Sequence, residues 1–293
     1  MKPSIGKNWH CTPRFLTAPP STKELDSLEK IKPMLPLSEI EKQYPPGQQA
    51  YKRFMLRECL QHKILQIVYD SVFGSKLAFI GGTCLRIVHG NTRFSEDIDF
   101  DNFNIDENTF EQLADIISAT LSKEGYEVEI KTVYKGAFHC YIRFPGLLYQ
   151  QGLPDFTEEK ILIQLDTEPQ HFSFKPERFL LNRFDVFTEI FTTPKDILLA
   201  QKFYTILNRV RNKGRDFFDT VFLLATIDKP NYDFLSMKAG ITNAKELKEQ
   251  ILARCAALDM KAMADDVQPF LFNPADAKKV LLFPDYLKQV ELK

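Results

Sequence analysis

The sequence predicts an α+β protein in which a mixed sheet with its helices is followed by a helical C-terminal half. Three observations carry this. Short runs rich in β-branched and aromatic residues fall between residues 77 and 191, amphipathic helical patterns lie among them, and the signals turn helical from Thr193 onward.

Residues 1–45, with "TAPPST" and "IKPMLPLSEIEKQYPPG", are proline-rich and weakly periodic, which predicts an extended N-terminal arm. From Gln48 to Val72, apolar residues such as Met55, Leu56, Cys59, Leu60 and Ile64 recur at spacings of three and four, an amphipathic helix that "FGSK" stops. Leu77 to Ile80 is a short apolar run ended by glycines, hence a buried strand entering a tight turn. "TCLRIVHG" then predicts a short helix closed by Gly90. "DIDFD" alternates acid and apolar residue, so Asp97, Asp99 and Asp101 share one strand face and Ile98 and Phe100 the other. A helix is expected from Glu107 to Glu124, with Gly125 as its stop. "YEVEIKTVY", "FHCYIRF", "KILIQLD" and "FDVFTEIF" read as four strands. At "TTPKD", Thr193 is expected as N-cap with Pro194 at the first helical position and Asp196 three residues past the cap. The division expected is an arm over 1–45, an α/β domain over 46–192 and a helical domain over 193–293.

Composition narrows the function. The chain has 293 residues, 44% of them hydrophobic, enough to bury a core. With 38 basic and 39 acidic residues the formal charge is −1, so no global field draws in nucleic acid or anionic membrane, and such binding would rest on local patches. Five scattered cysteines without a C-x-x-C pair argue against a zinc ribbon or a disulfide scaffold and predict a reducing, cytoplasmic setting. The first twenty residues lack the apolar core of a secretion signal and no stretch has the length to cross a bilayer, so no membrane is expected. The five histidines show no ligand spacing.

The chemistry is concentrated in "FIGGTCLRIVHGNTRFSEDIDFD". Carboxylates at i and i+2 on a strand lie roughly 6 to 7 Å apart on one side, within reach of a single divalent cation. Oxygen-only ligands suit Mg²⁺, which keeps waters and shares its shell with substrate phosphates. Gly81 and Gly82 let backbone N–H groups approach a phosphate, the start of the following helix adds positive potential, and Ser95 adds a hydroxyl donor. Farther on, Lys202, Arg209, Arg211, Lys213 and Arg215 form a run of positive charge without an acid, the leading site for a polyanion, with Phe203 and Tyr204 available for base stacking. Asp216 and Asp219 lie three apart on one helix face.

"GGTCLR" followed by "RFSEDIDFD" resembles the signature of polymerase-beta-like nucleotidyltransferases, and more closely that of the AbiEii/MenT nucleotidyltransferase toxins, GGT-x-L-R then R-x-S-x-D-x-D-F. "LAQKFYTILNRVRNKGRDFFD" is similar to the family's helical lysine and R-D-x-x-D segment, so the resemblance spans about residues 50–225. It implies a polymerase-beta-like module and a Mg²⁺-dependent (or Mn²⁺-dependent) transfer of a nucleoside monophosphate from an NTP to RNA, in particular the tRNA 3′ end. A role as the toxin of a toxin–antitoxin, abortive-infection system follows, with a cognate antitoxin as partner. On these positions it implies that Asp97 and Asp99 hold the metal. Gly81, Gly82, Thr83 and Ser95 would line the triphosphate, Lys202 with Arg86 or Arg93 would neutralise it, and Asp216 would complete the pocket. Asp166 in "KILIQLD" is the candidate third carboxylate and metal ligand, and Arg209, Arg211, Lys213 and Arg215 are candidates for RNA. The residues leave open transfer to a protein or small-molecule hydroxyl, and a non-catalytic nucleotide- or RNA-binding protein.

Overall fold

The computed structural model describes residues 34–153 and 159–293, and Met34–Lys293 form one compact unit. Among the described residues seven strands make one sheet: β1 (Leu77–Ile80), β2 (Ile98–Asn102), β3 (Glu129–Lys135), β4 (Ala137–Phe144), β5 (Ile161–Glu168), β6 (Glu177–Arg183) and β7 (Val186–Thr192). Their spatial order is β3-β4-β5-β2-β1-β7-β6. β2 runs parallel to β5 and β1 to β7, and the other neighbours are antiparallel, so the sheet is mixed as expected.

Among the described residues the α-helices, in chain order, are α1 (Leu37–Glu41), α2 (Lys52–Asp70), α3 (Gly81–Ile87), α4 (Glu107–Lys123), α5 (Leu147–Gln150), α6 (Lys195–Asn208), α7 (Gly214–Leu224), α8 (Tyr232–Ala239), α9 (Ala244–Ala256), α10 (Met260–Val267), α11 (Lys278–Leu281) and α12 (Phe283–Gln289). Alternation decides which face of the sheet is covered. Ile161, Ile163 and Leu165 of β5 and Cys140, Ile142 and Phe144 of β4 are buried on one face. There Tyr69 of α2 meets Phe100 edge-on at 6.0 Å, and Phe110 of α4 meets Phe138 at 5.5 Å. The opposite face carries Asp99, Asp166 and Gln164, and the site is built on it.

Four local expectations need correction. α2 is not simply amphipathic: Arg57, Glu58, Gln61, His62 and Lys63 are buried beside its apolar residues, and partners explain why this is tolerated. Glu58 is paired with Arg86 and Arg183, Lys63 with Glu124 and Asp185, and Gln61 Nε2 donates to the carbonyls of Ser95 and Glu96. β6 was not foreseen, because its hairpin with β7 turns through Phe184 at φ +58° with no Gly or Asn to announce it. Thr193 does not cap α6: it is buried with its hydroxyl unpaired, and Pro194 holds the cap position. Finally, Leu37 and Ile40 of α1 are buried, so packed structure begins ahead of residue 46; residues 1–33 of the expected arm lie outside the described residues.

The change from strands to helices falls between Thr192 and Lys195. α7 reaches the rest of the helical part through Gly214, where a Cβ would sit 1.8 Å from the Met263 carbonyl oxygen of α10. Only glycine permits that approach.

Candidate active site

Asp99 on β2 and Asp166 on β5 are register partners, and Asp97 lies just ahead of β2 on the same side. All three line a cavity of about 430 Å³, within the range of small-molecule sites. Burial and the neighbouring charges of Asp97 and Asp166 push the Asp99 carboxyl up to about 7, although Lys202 and Arg215 oppose the shift. Asp97 is raised as well, chiefly by burial, with Arg215 pulling against it. Among the described residues neither side chain has a salt bridge or hydrogen-bond partner. Asp101 shares their face but leaves the site: it is buried, and its Oδ1 accepts the Gln170 N–H at 3.0 Å.

The Gly81–Gly82 turn lies directly against these acids. Gly81 has φ +78°, and a Cβ there would fall 2.2 Å from Asp99 Oδ2. A Cβ on Gly82 would meet Arg93 Nη2 at 2.2 Å and Ser95 Oγ at 2.9 Å. Both glycines and Ser95 line the cavity. Thr83 does not: it is buried, and its hydroxyl donates to the Asp97 carbonyl, tying the turn to the acidic strand.

The opposite wall comes from α6 and α7. Asp219, fully buried, accepts from Arg93 Nε and Nη2 at 2.7 Å each and from Asn91 at 2.8 Å, and pairs with Lys202 Nζ at 2.8 Å. Burial alone would raise its carboxyl, but Arg93 and Lys202 outweigh that and hold it well below the usual range. Asp216 is paired with Lys202 Nζ at 3.3 Å and with Arg209 Nη1 at 2.8 Å. Asp219 thus fixes both Lys202 and the arginine under the glycine turn.

The cavity therefore gathers Gly81, Gly82, Arg93, Ser95, Asp97, Asp99, Asp166, Lys202, Arg209, Arg215 and Asp216. Arg93 is only 1% exposed and its guanidinium is taken by Asp219, so it braces the wall and is not a free phosphate ligand. Arg86 is elsewhere, paired with Glu58 and lying 4.5 Å over the Phe272 ring. Arg211 and Lys213 lie on the loop between α6 and α7 outside the cavity lining, Lys213 being 3.7 Å from Asp266. Phe203 is core, whereas Tyr204 lines the cavity. Sequence reasoning missed Glu168, Gln170, Gln201 and Lys238. Glu168 could have been found, since it shares a strand face with Asp166; Lys238 arrives from α8, with no local signal. It also missed His139, whose Nδ1 lies 2.8 Å from Asp166 Oδ1, while Gln164 Nε2 donates to both Asp166 oxygens at 2.9 Å.

The donor set fits a hard cation. The acids offer only carboxylate oxygens, and among the described residues Asp97 and Asp99 repel each other with no cation in a salt bridge to either. Among the described residues no three acid, His or Cys side chains converge into a complete ligand set, and Asp166 is held by His139 and Gln164. That suits an ion such as Mg²⁺, which takes one or two carboxylates and fills its shell with water and substrate phosphate.

No curated protein matches the chain. Among solved structures, MenT4, a nucleotidyltransferase toxin from Mycobacterium tuberculosis H37Rv, is similar with TM-score 0.52 and 13% identity, over 88% of this chain and 91% of that one. JHP933 from Helicobacter pylori follows with TM-score 0.48 and 16% identity, over 80% and 94%. The family model described as nucleotidyl transferase AbiEii toxin, type IV toxin–antitoxin system, matches residues 63–280, from α2 through both walls of the cavity. The chain belongs to this AbiEii family and is a nucleotidyltransferase toxin.

Proposed function

We propose that the protein transfers a nucleoside monophosphate from an NTP to an RNA hydroxyl, the 3′ end of tRNA, with Mg²⁺ held by Asp97 and Asp99. The observation that carries the reading is the unpaired Asp97/Asp99 couple facing a glycine turn on one side and Lys202 on the other. Backbone N–H groups of the turn and Ser95 would cradle the triphosphate, and Lys202, held by Asp216 and Asp219, would offset its charge. The acceptor hydroxyl attacks the α-phosphorus, the bond to the bridging oxygen breaks and pyrophosphate leaves. Asp166 takes the hydroxyl proton as the new ester bond forms. The metal, when bound, lowers the hydroxyl's pKa and neutralises the phosphates. The remaining residues contribute orientation and a preorganised field.

Among the described residues no helix is long and apolar enough to cross a membrane. We place the protein in the cytoplasm, where NTP and tRNA occur, opposed by a cognate antitoxin. The test is incubation with Mg²⁺, each α-labelled NTP in turn and total tRNA. Label on tRNA supports the reading and names the base. NTP binding without label on RNA contradicts it in favour of a protein or small-molecule acceptor, or of binding alone.

A further inference from the structure

The sheet face bearing the acids continues beyond the cavity. Asp99 is in register with Asp166, Asp166 with His139, and His139 with Val133. The next row on that face is Gln164, Tyr141 and Lys131, and the next Leu162, Arg143 and Glu129. Every second residue of a strand shows on one face, so these rows form one surface joined to the cavity at Asp166. α2 and α4 cover the other face; here Lys131 and Leu162 are exposed and Tyr141 and Arg143 half-buried.

Its chemistry is that of a single-strand binder. The Arg143 guanidinium lies 5.6 Å from the Tyr141 ring centre, and the His139 ring lies 6.4 Å from it at an interplanar angle of 32°. Glu129 is neutralised by Lys160 at 2.7 Å, which leaves Lys131 and Arg143 as surplus positive charge on the two outer rows. Aromatic rings beside cations are what bind single-stranded nucleic acid, by stacking on bases and pairing with phosphates. The basic loop after α6 is a poorer candidate, because Arg209 is tied to Asp216 and Lys213 lies against Asp266.

We infer that the outer face of β3, β4 and β5 is the acceptor platform: the single-stranded 3′ end of the RNA lies across Lys131, Tyr141 and Arg143, delivering its terminal hydroxyl to Asp166. The NTP occupies the other side of the acids, between the glycine turn and Lys202. This rests on the RNA-acceptor reading above and adds where that acceptor binds.

The test is steady-state transfer of α-labelled NTP to total tRNA at saturating NTP and Mg²⁺, with wild type, Tyr141→Ala, Tyr141→Phe, Arg143→Ala, Lys131→Ala and Arg211→Ala. Tyr141→Ala and Arg143→Ala should each raise KM for tRNA about tenfold, the size of one lost stacking or phosphate contact, with kcat and KM for NTP within about twofold of wild type. Tyr141→Phe should keep the wild-type KM, because the ring and not the hydroxyl stacks; the unchanged kcat and KM for NTP in Tyr141→Ala separate a lost contact with RNA from a loss of packing. If Tyr141→Ala does not fold, Lys131→Ala carries the same test from an exposed position and Arg143→Ala from a half-buried one. Unchanged KM for tRNA in the platform variants, or an increase only in Arg211→Ala, overturns the inference and leaves RNA transfer standing. A wild type that labels no RNA overturns the RNA reading and the platform with it.

Discussion

Glu58 and Asp99 are both carboxylates drawn out of water, and their surroundings drive them in opposite directions. Glu58, 2% exposed on α2, is held by Arg86 Nε at 2.8 Å and by Arg183, and these cations outweigh burial and lower its pKa. Asp99 has the company of Asp97 and Asp166 and, among the described residues, no paired cation, and its pKa rises to about 7. The first arrangement is complete within the chain and can only hold structure. The second is incomplete, and a folded protein keeps such repulsion where a ligand resolves it.

The largest effect expected from breaking this contrast is on chemistry. Asp97→Ala/Asp99→Ala should lower transfer by about 10³-fold or more, several kcal/mol of transition-state stabilisation, while melting no lower than wild type because a repulsion is removed. Labelled-NTP transfer and a thermal melt read the two halves of that statement.

On the compensated side the order is reversed. Glu58→Gln strands two cations against the core and should cost about 3 kcal/mol in urea unfolding, with the site itself untouched. A cost under about 0.5 kcal/mol would show that Arg86 and Arg183 find water instead.

The pH dependence follows from the sign of the Asp99 shift. Its folded pKa of about 7 lies above the value near 4 of an unfolded chain, so protonation favours the fold. That contribution is complete below about pH 4 and is lost as pH rises through 7. In metal-free protein, Asp99→Asn should therefore be about 2–4 kcal/mol more stable than wild type at pH 8 and equal to it near pH 4. Urea unfolding across pH in chelator measures the difference.

The smallest effect sharpens the boundary between the two kinds of site. The Arg209 side chain is 40% exposed where it pairs with Asp216, so Arg209→Ala should change stability by no more than about 1 kcal/mol.

The acidic strand, the glycine turn and the switch to helices at residue 193 were legible because each is local: a period of two, a positive φ, a proline at a helix start. What escaped was long-range. Arg93 and Arg86 look alike in sequence, both cations near the glycine turn. Only the fold sends one to Asp219 and the other to Glu58, residues 126 and 28 positions away. Asp219 looked like a secondary member of the R-D-x-x-D segment, and it proves to be the anchor that joins the glycine turn to Lys202. His139 had no ligand spacing because its partner is across a strand pair.

We propose that Asp97 and Asp99 form a gap in the protein's charge balance that a divalent cation fills. The direct measurement is a Mg²⁺ titration at pH 8, following thermal unfolding of wild type and of Asp97→Asn/Asp99→Asn. Mg²⁺ should raise the wild-type Tm in a saturable way and leave the variant unmoved. An equal response in both proteins, or none in wild type, would contradict it.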